Sequence, residues 1–161
     1  HYTLVHPNRY VSLEEEIVNT QKYIQIQQMR FDNGFTDVWD ADPELRKERC
    51  IKFLLQPLVE NSISHGLSGR NDGVITIKIQ RQENRIQFSV ADNGRGFSPE
   101  RLSEVCRKMQ EEDSPTEHIG LFNLNKRLIL AYDAEAALHI ESIYGRSTVI
   151  SFTIPICDIV M

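Results

Sequence analysis

The sequence predicts an α/β fold. It is a two-layer sandwich of a mixed, mostly antiparallel sheet and about three helices, preceded by an N-terminal helix. Three observations predict it. Several segments carry apolar residues at helical spacing, starting with a long one near the N-terminus. Segments of period two stand in adjacent pairs joined by turn residues, as in hairpins. Helices and strands also alternate without regular βαβ spacing, which points to a mixed sandwich.

The N-terminal helix starts at Ser12, where Ser12 and Glu15 make a capping box. Leu13, Ile17, Ile24 and Phe31 fall roughly on one face, with Tyr23 and Met29 beside them, and the helix runs to about Arg30. Asp32-Asn33-Gly34 breaks it. Residues 35–40, FTDVWD, alternate as a strand. Residues 51–65 read as the next helix, with Gly66 just past its end. Pro57 lies inside this stretch, so a kink or a late helix start is expected there. Val74–Gln80 and Arg85–Ala91 form a hairpin that runs into Asp92-Asn93-Gly94-Arg95-Gly96. Ser98-Pro99-Glu100 opens a helix to about Gln110. A polar loop, 111–117, leads to a helix over 119–132. Ala137–Ser142 and Thr148–Ile154 make the last hairpin, turning through Tyr144-Gly145-Arg146-Ser147.

The chain has 161 residues, enough for about one domain with its own core. Hydrophobic residues make up 40% and charged residues 25%, which excludes a disordered or low-complexity chain. Eighteen basic against 23 acidic residues leave a net charge of −5, a poor match to a nucleic-acid polymer. Cys50, Cys106 and Cys157 are scattered and form no CxxC pair, so reduced thiols in a cytosolic compartment fit best. No apolar run approaches the ~20 residues of a membrane helix, and no signal peptide is visible. The chain begins with His1 rather than Met and is therefore expected to be a fragment or a processed product.

Four segments carry chemistry. In QPLVENSISHG, residues 56–66, Asn61 and His65 share one helical face, and Glu60 and Ser64 the adjacent one. A solvated polar face explains such a pattern as readily as a binding site does. In DNGRG, residues 92–96, a strand ends in a carboxylate followed by two glycines, which allow tight turns and close approach to a ligand. The same residues suit a plain turn. In HIGLFN, residues 118–123, a polar loop feeds a helix start, whose N–H groups suit a phosphate. YGRS, residues 144–147, is by itself only a turn. No GxGxxG or GxxxxGK[ST] motif is present.

Taken in order, the four segments are far more specific. The chain closely resembles the ATP-binding domain of sensor histidine kinases of the YesM/LytS type. LLQPLVENSISHG looks like that family's N box, DNGRGF its first glycine box, IGLFNLNKRL its second and GRST its third. YVSLEEEIVNTQKYIQIQQMRF resembles the segment that joins the phosphoacceptor helix to the catalytic domain. The resemblance implies the Bergerat ATP-binding fold over 34–161, with 1–33 as a connecting helix, the remnant of the dimerisation region.

The resemblance also implies roles. Asn61 would offer its amide oxygen to Mg²⁺ bridging the phosphates of ATP, a fit for a hard, oxygen-seeking ion. Asp92 would accept a hydrogen bond from the adenine amino group, and Gly94 and Gly96 would let the backbone pass close to the base. Gly120 with its neighbours Leu121 and Asn123 would line the triphosphate. Thr148 of the third box and His65 complete the candidate nucleotide contacts. Loop 111–118 would be the ATP lid. Asn61 and Glu60 are the candidate catalytic residues, although Glu60 points about 100° away from Asn61 on an ideal helix.

Three positions depart from the family pattern: Ser64 stands for a usual Lys, and His118 and Ser147 for frequent glycines. Arg70, Arg95, Lys126 and Arg127 are the cations that could stand in for the lysine. Hydrolytic relatives carry a Glu four residues before the Asn, where this chain has Pro57. Phosphoryl transfer to a histidine, which needs no activated water, is therefore expected over hydrolysis. The family's acceptor lies in a Pro-His-Phe context, which none of His1, His6, His65, His118 and His139 has. It is expected on an upstream segment. The implied partners are that phosphoacceptor helix and a response regulator. The implied setting is the cytoplasmic part of a membrane-anchored homodimer. The alternatives are a gyrase/MutL-type ATPase and a degenerate nucleotide-binding module.

Overall fold

The computed structural model describes residues 2–4, 9–30, 34–111 and 117–159. In chain order it forms β1 (Tyr2–Leu4), β2 (Tyr10–Ser12), α1 (Leu13–Arg30), β3 (Phe35–Ala41), β4 (Arg49–Ile51), α2 (Gln56–Asn61) and β5 (Gly73–Gln82). Then come β6 (Arg85–Asp92), α3 (Pro99–Gln110), α4 (Ile119–Ala131), β7 (His139–Ile143), β8 (Ser147–Pro155) and β9 (Cys157–Ile159). The main sheet has five strands in the order β3-β5-β6-β8-β7. Within this sheet only the β3–β5 pairing is parallel. The expected mixed, mostly antiparallel sheet is what forms.

One face of that sheet is apolar because its strands alternate. Ile75, Ile77 and Ile79 of β5, Ile86, Phe88 and Val90 of β6, and Ile150, Phe152 and Ile154 of β8 are all buried. Phe88 and Phe152 are register partners and stack with ring centroids 4.8 Å apart. Leu54, Leu55, Leu58 and Val59 ahead of and within α2, and Leu121, Leu124 and Leu128 of α4, join the same core. Such a sheet, covered on one side, is the usual antiparallel solution.

Helix α1 begins as its capping box requires, with the Glu15 N–H donating to Ser12 Oγ at 3.2 Å. Its Leu13, Ile17 and Ile24 belong to the same core as the sheet, so its apolar stripe packs on the body of the chain. Met29 instead lies 81% exposed. Phe31 and Asp32-Asn33 lie outside the described residues.

The helix expected over 51–65 starts late. Residues 49–51 form β4, which pairs antiparallel with β2, and the helix begins at Gln56. Pro57 then occupies the first turn, where its missing N–H costs nothing. After Asn61 the helix widens into a π-helical turn, Ser62–Gly66, in which the Leu67 N–H donates to the Ser62 carbonyl at 2.9 Å. Strands β1, β2, β4 and β9 are three residues each, too short to show a period. Cys50 and Cys106 are free thiols.

Candidate functional site

The site lies where α2, its π-turn, the end of β6 and the start of α4 meet. Strand β6 places apolar residues at 86, 88 and 90 toward the helices, and the alternation puts Asp92 on that same face. Its carboxylate is therefore buried, at 4% exposure, at the end of the central strand. Burial raises the Asp92 carboxyl above its ordinary value, against the Gly94 N–H, which donates to Oδ1 at 2.9 Å, and the nearby Ser62 hydroxyl. Thr148 is the register partner of Asp92 on β8 and is also buried, with its hydroxyl 3.3 Å from Ser142 Oγ.

The glycines around Asp92 have packing reasons of their own. A Cβ on Gly94 would collide with the backbone of Gly66, whose carbonyl accepts the Arg95 N–H at 3.1 Å. Gly96 has φ +67°, and a Cβ there would meet the Ile143 carbonyl and Ser142 Oγ. Close contact with protein backbone thus requires both glycines, a stronger demand than the approach to a base read from sequence. Gly66 itself makes room for Asp92: a Cβ there would stand 2.7 Å from Oδ1.

A cavity of about 270 Å³ is lined by Pro57, Glu60, Asn61, His65, Gly120 and Leu121, among others, while Asp92, Gly94, Gly96 and Thr148 are not among its lining residues. Asn61 is 8% exposed, and its Oδ1 accepts a hydrogen bond from His118 Nδ1 at 2.8 Å. An amide oxygen only accepts, so Nδ1 carries the imidazole proton. The His118 ring lies 4.0 Å from that of His65 and 5.2 Å from that of Phe97, centroid to centroid. Burial first, then His65 and Arg101, push the His118 pKa down to about 4, so the ring is neutral at pH 7. Burial, then Arg101 and Arg95, also lower that of His65.

Gly120 sits in the first turn of α4, where N–H groups lack helical partners. A Cβ there would meet only Pro57 Cβ, at 3.8 Å, so its open side faces the cavity. Leu121 reaches the cavity rim, but its side chain is buried in the core. Asn123 is exposed and is not among the cavity-lining residues, so the structure does not bring it to the site. The buried asparagine of α4 is Asn125, whose Oδ1 accepts the Leu138 N–H at 2.9 Å. Glu60 lies on the cavity with its carboxylate turned to Gln56 Nε2 at 3.1 Å.

The cations divide differently from the sequence expectation. Arg70 pairs with Asp72, Arg95 donates to the Ser68 carbonyl, and Arg127 donates to the Lys52 and Phe53 carbonyls. Arg101 of α3, not singled out from sequence, stands beside His118 and pairs with Glu104 and Glu117. Residues 112–116 of the expected lid lie outside the described residues.

The α/β sandwich thus combines a buried carboxylate ending its central strand with an asparagine and a helix start that line one cavity. Solved structures share the fold. The catalytic domain of histidine kinase ThkA in a nucleotide-free form superposes with a TM-score of 0.69, at 19% identity, over 92% of this chain and 96% of that one. ThkA in complex with response regulator protein TrrA gives 0.65 at 20% identity, over 91% and 41%. The family model for the histidine kinase-, DNA gyrase B-, and HSP90-like ATPase matches residues 46–158. The chain belongs to that family. An uncharacterized sensor-like histidine kinase of Staphylococcus epidermidis is 34% identical over 155 residues, 96% of this chain. Sensor protein kinase HptS of Staphylococcus aureus is 33% identical over the same length. The chain spans 30% of the length of each of these relatives. Both relatives are named as sensor kinases, and the solved structures that share the fold are histidine kinase domains.

Proposed function

We propose that the chain binds Mg-ATP and donates the γ-phosphoryl group to a histidine on an upstream phosphoacceptor helix of the same protein. The observation that carries this reading is the cavity shared by Asn61 and the first turn of α4, with buried Asp92 set against Gly66 of the π-turn that follows Asn61. Asp92, whose ionised carboxylate only accepts, selects the amino group of adenine. Phosphates lie at Gly120, where N–H groups and the helix dipole favour anions. Oxygen donors suit a hard cation: Asn61 lines the cavity and its amide oxygen would hold Mg²⁺, with Glu60 also on the lining. Bound there, the ion would neutralise charge on the phosphates.

Residue 57 is Pro, so no carboxylate stands one helical turn before Asn61 to activate water. This supports transfer over hydrolysis. In transfer, the acceptor imidazole nitrogen forms a bond to the γ-phosphorus as the bond to the ADP oxygen breaks, and ADP leaves with the electron pair. The order of the four boxes supports the YesM/LytS subtype. The TrrA complex of ThkA supports a response regulator as the next acceptor. Among the described residues no helix is long and apolar enough to cross a membrane. We place this domain on the cytoplasmic side, where ATP is, within a membrane-anchored homodimer, with 1–33 as the connecting helix.

The test is incubation with γ-labelled ATP and a polypeptide carrying the phosphoacceptor helix. Acid-labile label on histidine is expected, with little phosphate released. Steady phosphate release without labelled protein would instead favour a hydrolase. A second prediction concerns Gly120→Ala. A helix-favouring residue with room for its methyl group should raise stability by ~0.5 kcal/mol. The methyl narrows the cavity, so nucleotide affinity should fall about threefold. Thermal melts and titration calorimetry read the two effects, and an unchanged affinity would remove Gly120 from the phosphate site.

A further inference from the structure

The proposed function gives the Asn61 amide oxygen to a cation, yet in the structure His118 holds that oxygen. Its Nδ1–H donates to Oδ1 at 2.8 Å, and both residues are buried. The imidazole is a wall as well as a partner. His118 and Glu117 line the 270 Å³ cavity on the Asn61 side, and both also line a second cavity of about 180 Å³ beside Arg101, Val105 and Phe122. The ring is held by its packing on His65 and Phe97. It is also presented from a left-handed backbone, φ 55°. That conformation favours glycine, the residue usual at this place in the glycine box, and a side chain there needs surrounding structure to hold it.

We infer that His118 is an internal ligand of Asn61, whose imidazole must leave the amide oxygen before a cation–nucleotide complex can seat there. His118 thereby determines cation-dependent affinity. The inference rests on the proposed role of Asn61. Geometry favours competition over simple orientation of the amide. A magnesium ion keeps near-octahedral oxygen coordination with several waters, and that shell needs space around Oδ1. His118 Nδ1, 2.8 Å from Oδ1, stands within that shell. Displacing it costs the His118–Asn61 hydrogen bond, which sets the size of the effect.

Two variants test this. His118→Gly suits the left-handed backbone and removes the imidazole. His118→Asn also tolerates that backbone and puts an amide N–H₂ near the position of Nδ1–H, which restores a donor to Asn61. Titration calorimetry on the 161-residue chain with ADP, in Mg²⁺ and in EDTA, gives the ratio of the two dissociation constants. Taking the ratio cancels any change in room for the nucleotide alone. His118→Gly should raise the Mg²⁺ enhancement about threefold to tenfold, the worth of one net hydrogen bond, and His118→Asn should return it toward wild type. A lowered enhancement in His118→Gly would make His118 an orienting residue, and an unchanged one would make it a bystander; either overturns the inference. Failure of the wild-type chain to bind ADP in either condition would remove the proposed function first, and this inference with it.

Discussion

Asp92→Asn is expected to weaken adenine nucleotide binding about 100-fold. The carboxylate ends the central strand on its buried face, with one oxygen engaged by the Gly94 N–H. Its remaining capacity is to accept, which matches the amino group of adenine and opposes the O6 carbonyl of guanine. In the variant the amide oxygen takes over the Gly94 N–H, because that donor is buried and must be satisfied. The –NH₂ is then left toward the base, donor against donor. An unmet polar contact of this kind costs ~2–3 kcal/mol, hence the two orders of magnitude. The shape of the two side chains is the same, so melting temperature should change far less than affinity. Calorimetry with ADP and GDP reads the effect. ADP binding within threefold of wild type would remove Asp92 from the base site.

The position of Asp92 shows why much of the site is legible in the sequence. The run Ile86, Phe88, Val90, Asp92 has period two, so a carboxylate continuing an apolar stripe must be buried at a strand end. The helices announce themselves by caps: Ser12 for α1, and Ser98 with Pro99 for α3. Long-range pairings leave no such trace. Strand β4 lies in an apolar run that continues into helix α2, and only its partner β2, some 40 residues earlier, makes it a strand. Asn123, singled out from sequence, is exposed, and the buried Asn125 two residues on is claimed by the Leu138 N–H just ahead of β7. His118 reads locally as a lost glycine. Its function as a partner of Asn61, 57 residues away, exists only once α4 is docked on α2.

Glu16→Ala is expected to destabilise the fold by ~3 kcal/mol, a fall in melting temperature of roughly 6–12 °C for a chain of this size. By sequence Glu16 is one of three acids in the first turn of α1, a place where carboxylates complement the helix dipole. The structure buries it at 3% exposure and gives it a different task. Its Oε1 accepts the N–H groups of both Phe53 and Leu54, the latter at 3.3 Å. Phe53 has φ 61°, a conformation that a bulky residue holds only when its surroundings require it. Arg127 of α4 completes the clamp by donating to the Lys52 and Phe53 carbonyls. One carboxylate thus ties α1 to the segment that leads into α2, and alanine would orphan both N–H groups. Glu16→Gln keeps an acceptor oxygen and should lose about half as much or less. The pair also differs in pH response. Burial raises the folded-state pKa of Glu16 above 4.5, so the folded chain holds the proton longer than the unfolded one. Wild-type stability relative to Glu16→Gln is therefore highest below pH 4.5 and falls as pH rises through the raised pKa. Denaturant unfolding of both proteins from pH 4 to pH 8 measures the difference. Parallel profiles, or an alanine variant that loses under 1 kcal/mol, would show that Glu16 does not hold the Phe53 segment.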